Sequence, residues 1–128
     1  MIYLDSSVVL AQLFAETRSP PASLGDARLI SSRLLEYEVW NRTHVRGFVR
    51  SHGNEVRALL ARVDMIEMGE SVMARALEPF PIPVRTLDAL HLSTLEFLRG
   101  QGESVELASY DNRLVAAAQA LGVPLAAV

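Results

Sequence analysis

The chain has 128 residues, a length that fits a single domain over residues 1–128. Half of the residues are apolar, which is enough to build a packed core, and the lack of cysteine excludes disulfides, thiolate metal sites and cysteine nucleophiles. All 12 basic residues are arginine, so lysine-dependent chemistry is excluded, and the net charge of -3 means that nucleic-acid binding would need a local basic patch.

The N-terminus carries no basic stretch and no long apolar run, so it does not have the pattern of a signal peptide. No segment approaches the roughly 20 consecutive apolar residues that a membrane span requires. The sequence therefore predicts a soluble, cytoplasmic protein that makes no membrane contact.

Short apolar runs alternate with helical patterns along the whole chain. Prolines and glycines separate several of these segments and predict loops at residues 17–26 and a rigid connector at residues 79–83. Strands are predicted at residues 2–4, 28–31, 105–110 and 123–128, with residues 65–68 as either a short strand or a helix end. Helices are predicted at residues 6–14, 32–50, 55–64, 71–77, 86–99 and 111–121, with Gly53 and Asn54 ending or interrupting the longest one.

This alternation predicts an α/β fold, with a central, mostly parallel sheet of four to five strands and helices on both faces. In such sheets the functional crevice lies at the carboxyl ends of the strands. Asp5 and Asp111 directly follow predicted strands and are therefore expected at that edge.

Three of the four acidic residues of interest have an ordinary structural explanation. Asp5 and Asp111 each open a helix and can serve as N-caps, and Asp88 in a first helical turn complements the helix dipole. Glu38 differs, because a helical wheel at about 100° per residue places it within the apolar face of its helix, whereas Glu36 falls on the polar face. A buried carboxylate needs a partner, which could be Arg42 one turn later or a metal ion.

The four acids together are harder to explain by structure alone. Carboxylates that converge repel one another unless a cation binds between them, and oxygen ligands without His or Cys suit Mg²⁺ or Mn²⁺. Such an ion can activate water for attack on a phosphodiester.

Four segments resemble the PIN-domain family, and most closely the VapC toxins of bacterial toxin–antitoxin pairs. They are YLDSSVVL at the start, SSRLLEYEVWNR, the helix RTLDALHLSTLEFL and ELASYDNRLVAAAQALGV near the end. The resemblance spans the whole chain, and LDALHLST and ASYDNRL are its most specific parts. It implies a small PIN-like domain.

The resemblance also implies a function and a set of site residues. The acidic quartet of the family matches Asp5, Glu38, Asp88 and Asp111, which would bind Mg²⁺ or Mn²⁺ and carry catalysis. Supporting positions are Ser6 and Ser7 after the first acid and Asn112 after the last. The implied activity is that of a metal-dependent endoribonuclease acting on tRNA or rRNA, the toxin of a type II system, dimeric and inhibited by a cognate antitoxin.

An arginine-rich stretch over residues 42–62 contains five arginines against one acid, Glu55. Its default explanation is a solvated helix face, but beside a nuclease site Arg42, Arg46 and Arg50 could hold RNA phosphates. His91 is expected to pack or hydrogen-bond within the fold. Two other functions stay open, which are a PIN-fold interaction protein without catalytic activity and a nuclease that acts on DNA.

Overall fold

A computed structural model describes all 128 residues and contains four strands and six α-helices. The strands are β1 (Ile2–Leu4), β2 (Leu29–Ser32), β3 (Val63–Ile66) and β4 (Glu106–Ala108). The helices are α1 (Ser6–Phe14), α2 (Leu34–Val45), α3 (Val49–Leu60), α4 (Glu70–Ala76), α5 (Thr86–Gly100) and α6 (Asn112–Ala120). This order confirms the predicted α/β class.

All strand pairs of the sheet are parallel, in the spatial order β3-β2-β1-β4. The first three strands therefore add in one direction, while β4 returns to the opposite side of β1. The strand order thus reverses between β1 and β4, and such a switch point opens a crevice at the carboxyl ends of the two strands. Asp5 directly follows β1, and Asp111 lies three residues after the end of β4, at the start of α6.

The sheet has a packed core on each face, because successive strand residues point to opposite sides. Leu4 and Leu29 face the core built with α1, α2 and α3, whereas Tyr3 and Ile30 face the core built with α5 and α6. This confirms the prediction of helices on both faces. No helix of the structure is both long and apolar enough to cross a membrane.

The predicted long helix over residues 32–50 is wrong in its extent, since α2 ends at Val45 and a new helix starts at Val49. The break lies at Gly47, which has φ +70°, a left-handed conformation that glycine adopts without steric cost. Gly53 lies inside α3 instead of ending a helix. The helical wheel also fails at the end of α2, because Val45, which a wheel over residues 32–50 places on the same face as Glu38, is 68% exposed.

Three further boundaries differ from prediction. The strand near residues 65–68 starts earlier, at Val63, so the preceding helix stops at Leu60. The expected strand at residues 123–128 reduces to a single parallel bridge between Leu107 and Leu125. The loop at residues 17–26 contains a short 3₁₀-helix, Ala22–Asp26.

We expect Gly47→Ala to lower the free energy of unfolding by about 1–2 kcal/mol, because alanine is strained at this φ although there is open space for its Cβ. Gly100→Ala is the matched control, since Gly100 ends α5 without a left-handed φ and its Cβ would also meet nothing. Urea unfolding of both variants tests this. Equal stability of the two variants would contradict the assignment of Gly47 as the helix break.

Candidate active site

Asp5 is a buried carboxylate at the junction of β1 and α1. It caps α1 by accepting a hydrogen bond from the Ser7 backbone N–H at 3.3 Å. The same oxygen, Oδ2, also accepts from the Ser7 hydroxyl at 2.6 Å and the Ser109 hydroxyl at 2.9 Å. The second oxygen, Oδ1, has no partner within the chain and remains available to a ligand.

Asp111 occupies the equivalent place after β4. Its Oδ1 caps α6 by accepting from the backbone N–H groups of Arg113 and Leu114, at 2.9 and 3.3 Å. Its own N–H donates to the Ser109 hydroxyl at 3.0 Å. Ser109 therefore bridges the side chain of Asp5 and the backbone of Asp111, which holds the two strand ends together. Both aspartates are thus helix caps, and each keeps one free oxygen.

Glu38 points inward from α2 and is held by a chain of buried groups. His91 Nε2 donates to Glu38 Oε1 at 2.5 Å, and Ser6 donates to Glu38 Oε2 at 3.3 Å. On its other side, His91 Nδ1 shares a hydrogen bond of 2.7 Å with the hydroxyl of Tyr3. Burial by itself lowers the pKa of His91, but the hydrogen bond and charge of Glu38 outweigh it, so the pKa is raised.

The possibility that Arg42 neutralises Glu38 is wrong, because His91 of α5 is the partner. Sequence reasoning placed His91 within the fold correctly, but it did not connect the residue with Glu38. The two lie 53 positions apart, and no local pattern links them.

All four acids line one cavity of about 380 Å³ at the carboxyl edge of the sheet. Its other lining residues include Ser6, Ser7 and a single cation, Arg85. Burial raises the pKa of Asp88, and the negative charges of Asp111 and Asp5 raise it further. The cavity therefore carries an excess of negative charge that the chain itself does not balance.

The donor chemistry of this cavity fits a hard divalent cation, since it offers carboxylate oxygens and three of the four acids keep an oxygen without a partner. No three Asp, Glu or His side chains converge closely enough to form a ready-made site for one ion. The four acids thus line one cavity, but their carboxylates do not meet at a single ion position.

The remaining predicted residues fall at different distances from the acids. Ser6 and Ser7 touch Glu38 and Asp5 directly, whereas exposed Asn112 lines an adjoining cavity. None of the three predicted RNA-binding arginines lines the acidic cavity, and Arg46 pairs with Glu16 at 2.9 Å. Sequence reasoning missed Ser109, Arg85 and Arg113, of which the first could have been found from its place before Asp111 at the end of a strand.

Parallel strands in this order, with an acidic cavity at their switch point, define a PIN-like domain. The chain is 32% identical over 133 residues to Ribonuclease VapC35 of Mycobacterium tuberculosis, in strains CDC 1551 / Oshkosh and H37Rv, covering 99% of this chain and 96% of the relative. Ribonuclease VapC46 of strain H37Rv is 30% identical over 138 residues, with 98% and 96% covered. The chain belongs to the VapC family of PIN-domain proteins. No protein-family model matches it.

We expect Asp88→Asn to raise the melting temperature at pH 7 in EDTA. A raised pKa means that the ionised form of Asp88 opposes folding, so this destabilisation grows as pH rises above the unfolded pKa and disappears when the group is protonated. Differential scanning calorimetry tests it. The control is Asp64→Asn, which removes an exposed carboxylate paired with Arg28 and should bring no gain. A lower melting temperature for Asp88→Asn than for the control would contradict the crowding of charge in the cavity.

Proposed function

We propose that this single domain, residues 1–128, is an endoribonuclease that hydrolyses RNA phosphodiester bonds and serves as the toxin of a type II toxin–antitoxin system. The observation that carries the proposal is the convergence of Asp5, Glu38, Asp88 and Asp111 on one cavity at the switch point of the sheet. The names of its relatives, both ribonucleases, support RNA as the substrate.

The same four acids would hold Mg²⁺ or Mn²⁺. Such an ion supplies charge stabilisation and acidifies a water molecule, which suits attack on a phosphodiester. The excess negative charge of the cavity and the free oxygens on its aspartates support this assignment. No side chain in the cavity is an obvious general base for the attacking water, which also favours metal-assisted hydrolysis.

The chain's own residues then position the acids. Ser7 and Ser109 orient Asp5 by occupying its Oδ2, which leaves Oδ1 free, and Asp5 would be the central ligand of the ion. His91 and Ser6 engage both oxygens of Glu38, which restricts its rotation and lets it orient a water beside the scissile phosphate. Asp88 and Asp111 would complete the ligand set.

Macromolecular partners follow from the same proposal. The substrate is tRNA or rRNA, the inhibitor is a cognate antitoxin, and the active form is a homodimer. Arg42, Arg46 and Arg50 would contact RNA phosphates farther from the cavity. Arg42 and Arg50 are exposed and form no ion pair within the chain, so their guanidinium groups are available for this contact.

We expect the purified chain to cleave RNA in Mg²⁺ or Mn²⁺ and to lose activity in EDTA. Asp5→Asn should lower the rate about 100-fold or more, because an amide donates where the carboxylate accepts and is a poor ligand for a hard cation. Asp64→Asn is the control outside the cavity. A matched DNA oligonucleotide is tested in parallel, since preferential DNA cleavage would make the protein a deoxyribonuclease. Equal RNA cleavage by Asp5→Asn would contradict the proposed site.

Divalent binding has a second readout that does not depend on activity. Adding Mn²⁺ to about 100 times its dissociation constant should stabilise the fold by about 2.7 kcal/mol, measured as a rise in melting temperature. The rise should shrink in Asp5→Asn and persist in Asp64→Asn. A chain that shows neither the rise nor RNA cleavage would instead be a PIN-fold interaction protein.

A further inference from the structure

Most arginines of this chain are engaged by other residues of the same molecule. Eight of the twelve have an in-chain partner, through an ion pair, a hydrogen bond to a carbonyl or an aromatic ring. The four whose guanidinium groups have none are Arg42, Arg50, Arg85 and Arg113. Two of these, Arg85 and Arg113, lie beside the acidic cavity, where their positive charge can attract an anionic ligand.

Arg85 lines three cavities on the surface of the protein. The acidic cavity shares Arg85 and Asp88 with a second cavity of about 500 Å³, whose other lining residues include Asn112 and Arg113. A third cavity of about 430 Å³ continues past Phe80 and again shares Arg85. The three cavities adjoin one another through these shared lining residues at the start of α5, and we call them together the Arg85 groove.

One wall of the Arg85 groove is rigid. Phe80, Ile82 and Val84 are partly buried and pack against the core of the α5 side. Proline occupies each intervening position, and Arg75 lies over the Phe80 ring at 4.1 Å while pairing with Glu96. Because proline fixes φ and these three side chains anchor the segment, the wall is preorganised and loses little entropy when a ligand binds.

The groove also has complementary charge for a phosphate chain. The acidic cavity alone repels polyanions, so a substrate needs cations next to it. Arg85 at the start of α5 and Arg113 in the first turn of α6 line the same cavity as Asp88, and each is exposed and free to form bidentate contacts with phosphate. Each of the three cavities, at about 380, 500 and 430 Å³, lies within the roughly 300–1,000 Å³ range of small-ligand sites, a size that suits single nucleotides of an RNA strand.

We propose that the Arg85 groove binds the single-stranded RNA segment adjoining the scissile bond, with Arg85 and Arg113 contacting its phosphates. Ile82, Pro83 and Val84, which line the same cavity as the two arginines, receive its sugars and bases. This inference rests on the proposed function and adds the path of the substrate. Arg85 and Arg113 act by holding RNA, so their removal raises KM more than it lowers kcat.

The test uses Arg85→Gln, Arg113→Gln and the double variant of the full chain. Arg28→Gln is the matched control, because it removes the same charge from an exposed pair with Asp64 at the opposite edge of the sheet. Binding of a fluorescent single-stranded RNA, and of a duplex RNA of the same length, is measured by anisotropy in EDTA over a series of salt concentrations, with a gel to show that the probes stay intact. Steady-state cleavage in Mg²⁺ gives KM and kcat for the same proteins.

Each single variant should weaken RNA binding about tenfold and reduce the slope of log affinity against log salt by about 0.7, the contribution of one phosphate contact on a single strand. Arg85→Lys should restore the salt slope, since it retains the charge. Affinity, slope and KM equal to those of Arg28→Gln would overturn the inference, as would a loss confined to duplex RNA. Absence of cleavage by the wild-type chain would instead overturn the proposed function, while the salt slopes would still decide whether RNA occupies the groove.

Discussion

The structure depends on one buried carboxylate, Asp5, at the point where the strand order of the sheet reverses. A buried charge is tolerated only when hydrogen bonds replace its lost hydration. Here hydroxyls of Ser7 and Ser109 and the first turn of α1 supply those bonds through a single oxygen. Because Ser109 also accepts from the Asp111 backbone, the same contacts fix the end of β4 next to the end of β1. This arrangement sets the start of α1, the position of Asp111 and the cavity between Asp5 and Asp111.

A second set of contacts links the core on the α5 side with the site. Tyr3 is fully buried in that core, and its hydroxyl meets His91, which in turn holds Glu38 at the cavity wall. Burial raises the pKa of Tyr3, so it stays a neutral partner. Ionised Asp88 opposes folding, because its burial and then the charges of Asp111 and Asp5 raise its pKa. Natural proteins accept such destabilisation at functional sites because the rest of the fold offsets it.

Several features of the site follow from local sequence patterns. Asp5 and Asp111 were identifiable because each follows an apolar run and precedes a helical pattern, and Glu38 because it interrupts an apolar helix face. The partner of Glu38 was not identifiable from the sequence. A helical wheel shows only neighbours on the same helix, so Arg42 was the side-chain partner that it offered. The same local view missed the break at Gly47, because the flanking residues keep a helical pattern on both sides of it.

The sequence by itself determined the chemistry of the side chains, the alternation of strands and helices, and the absence of cysteine and lysine, because composition and short-range periodicity carry that information. Membership of the VapC family was also visible in its motifs. Only the tertiary structure decided which groups meet: His91 with Glu38, Ser109 with Asp5, and Arg113 beside Asp88. The physical reason is that these contacts join residues distant along the chain, and their geometry is set by the packing of helices on the two faces of the sheet.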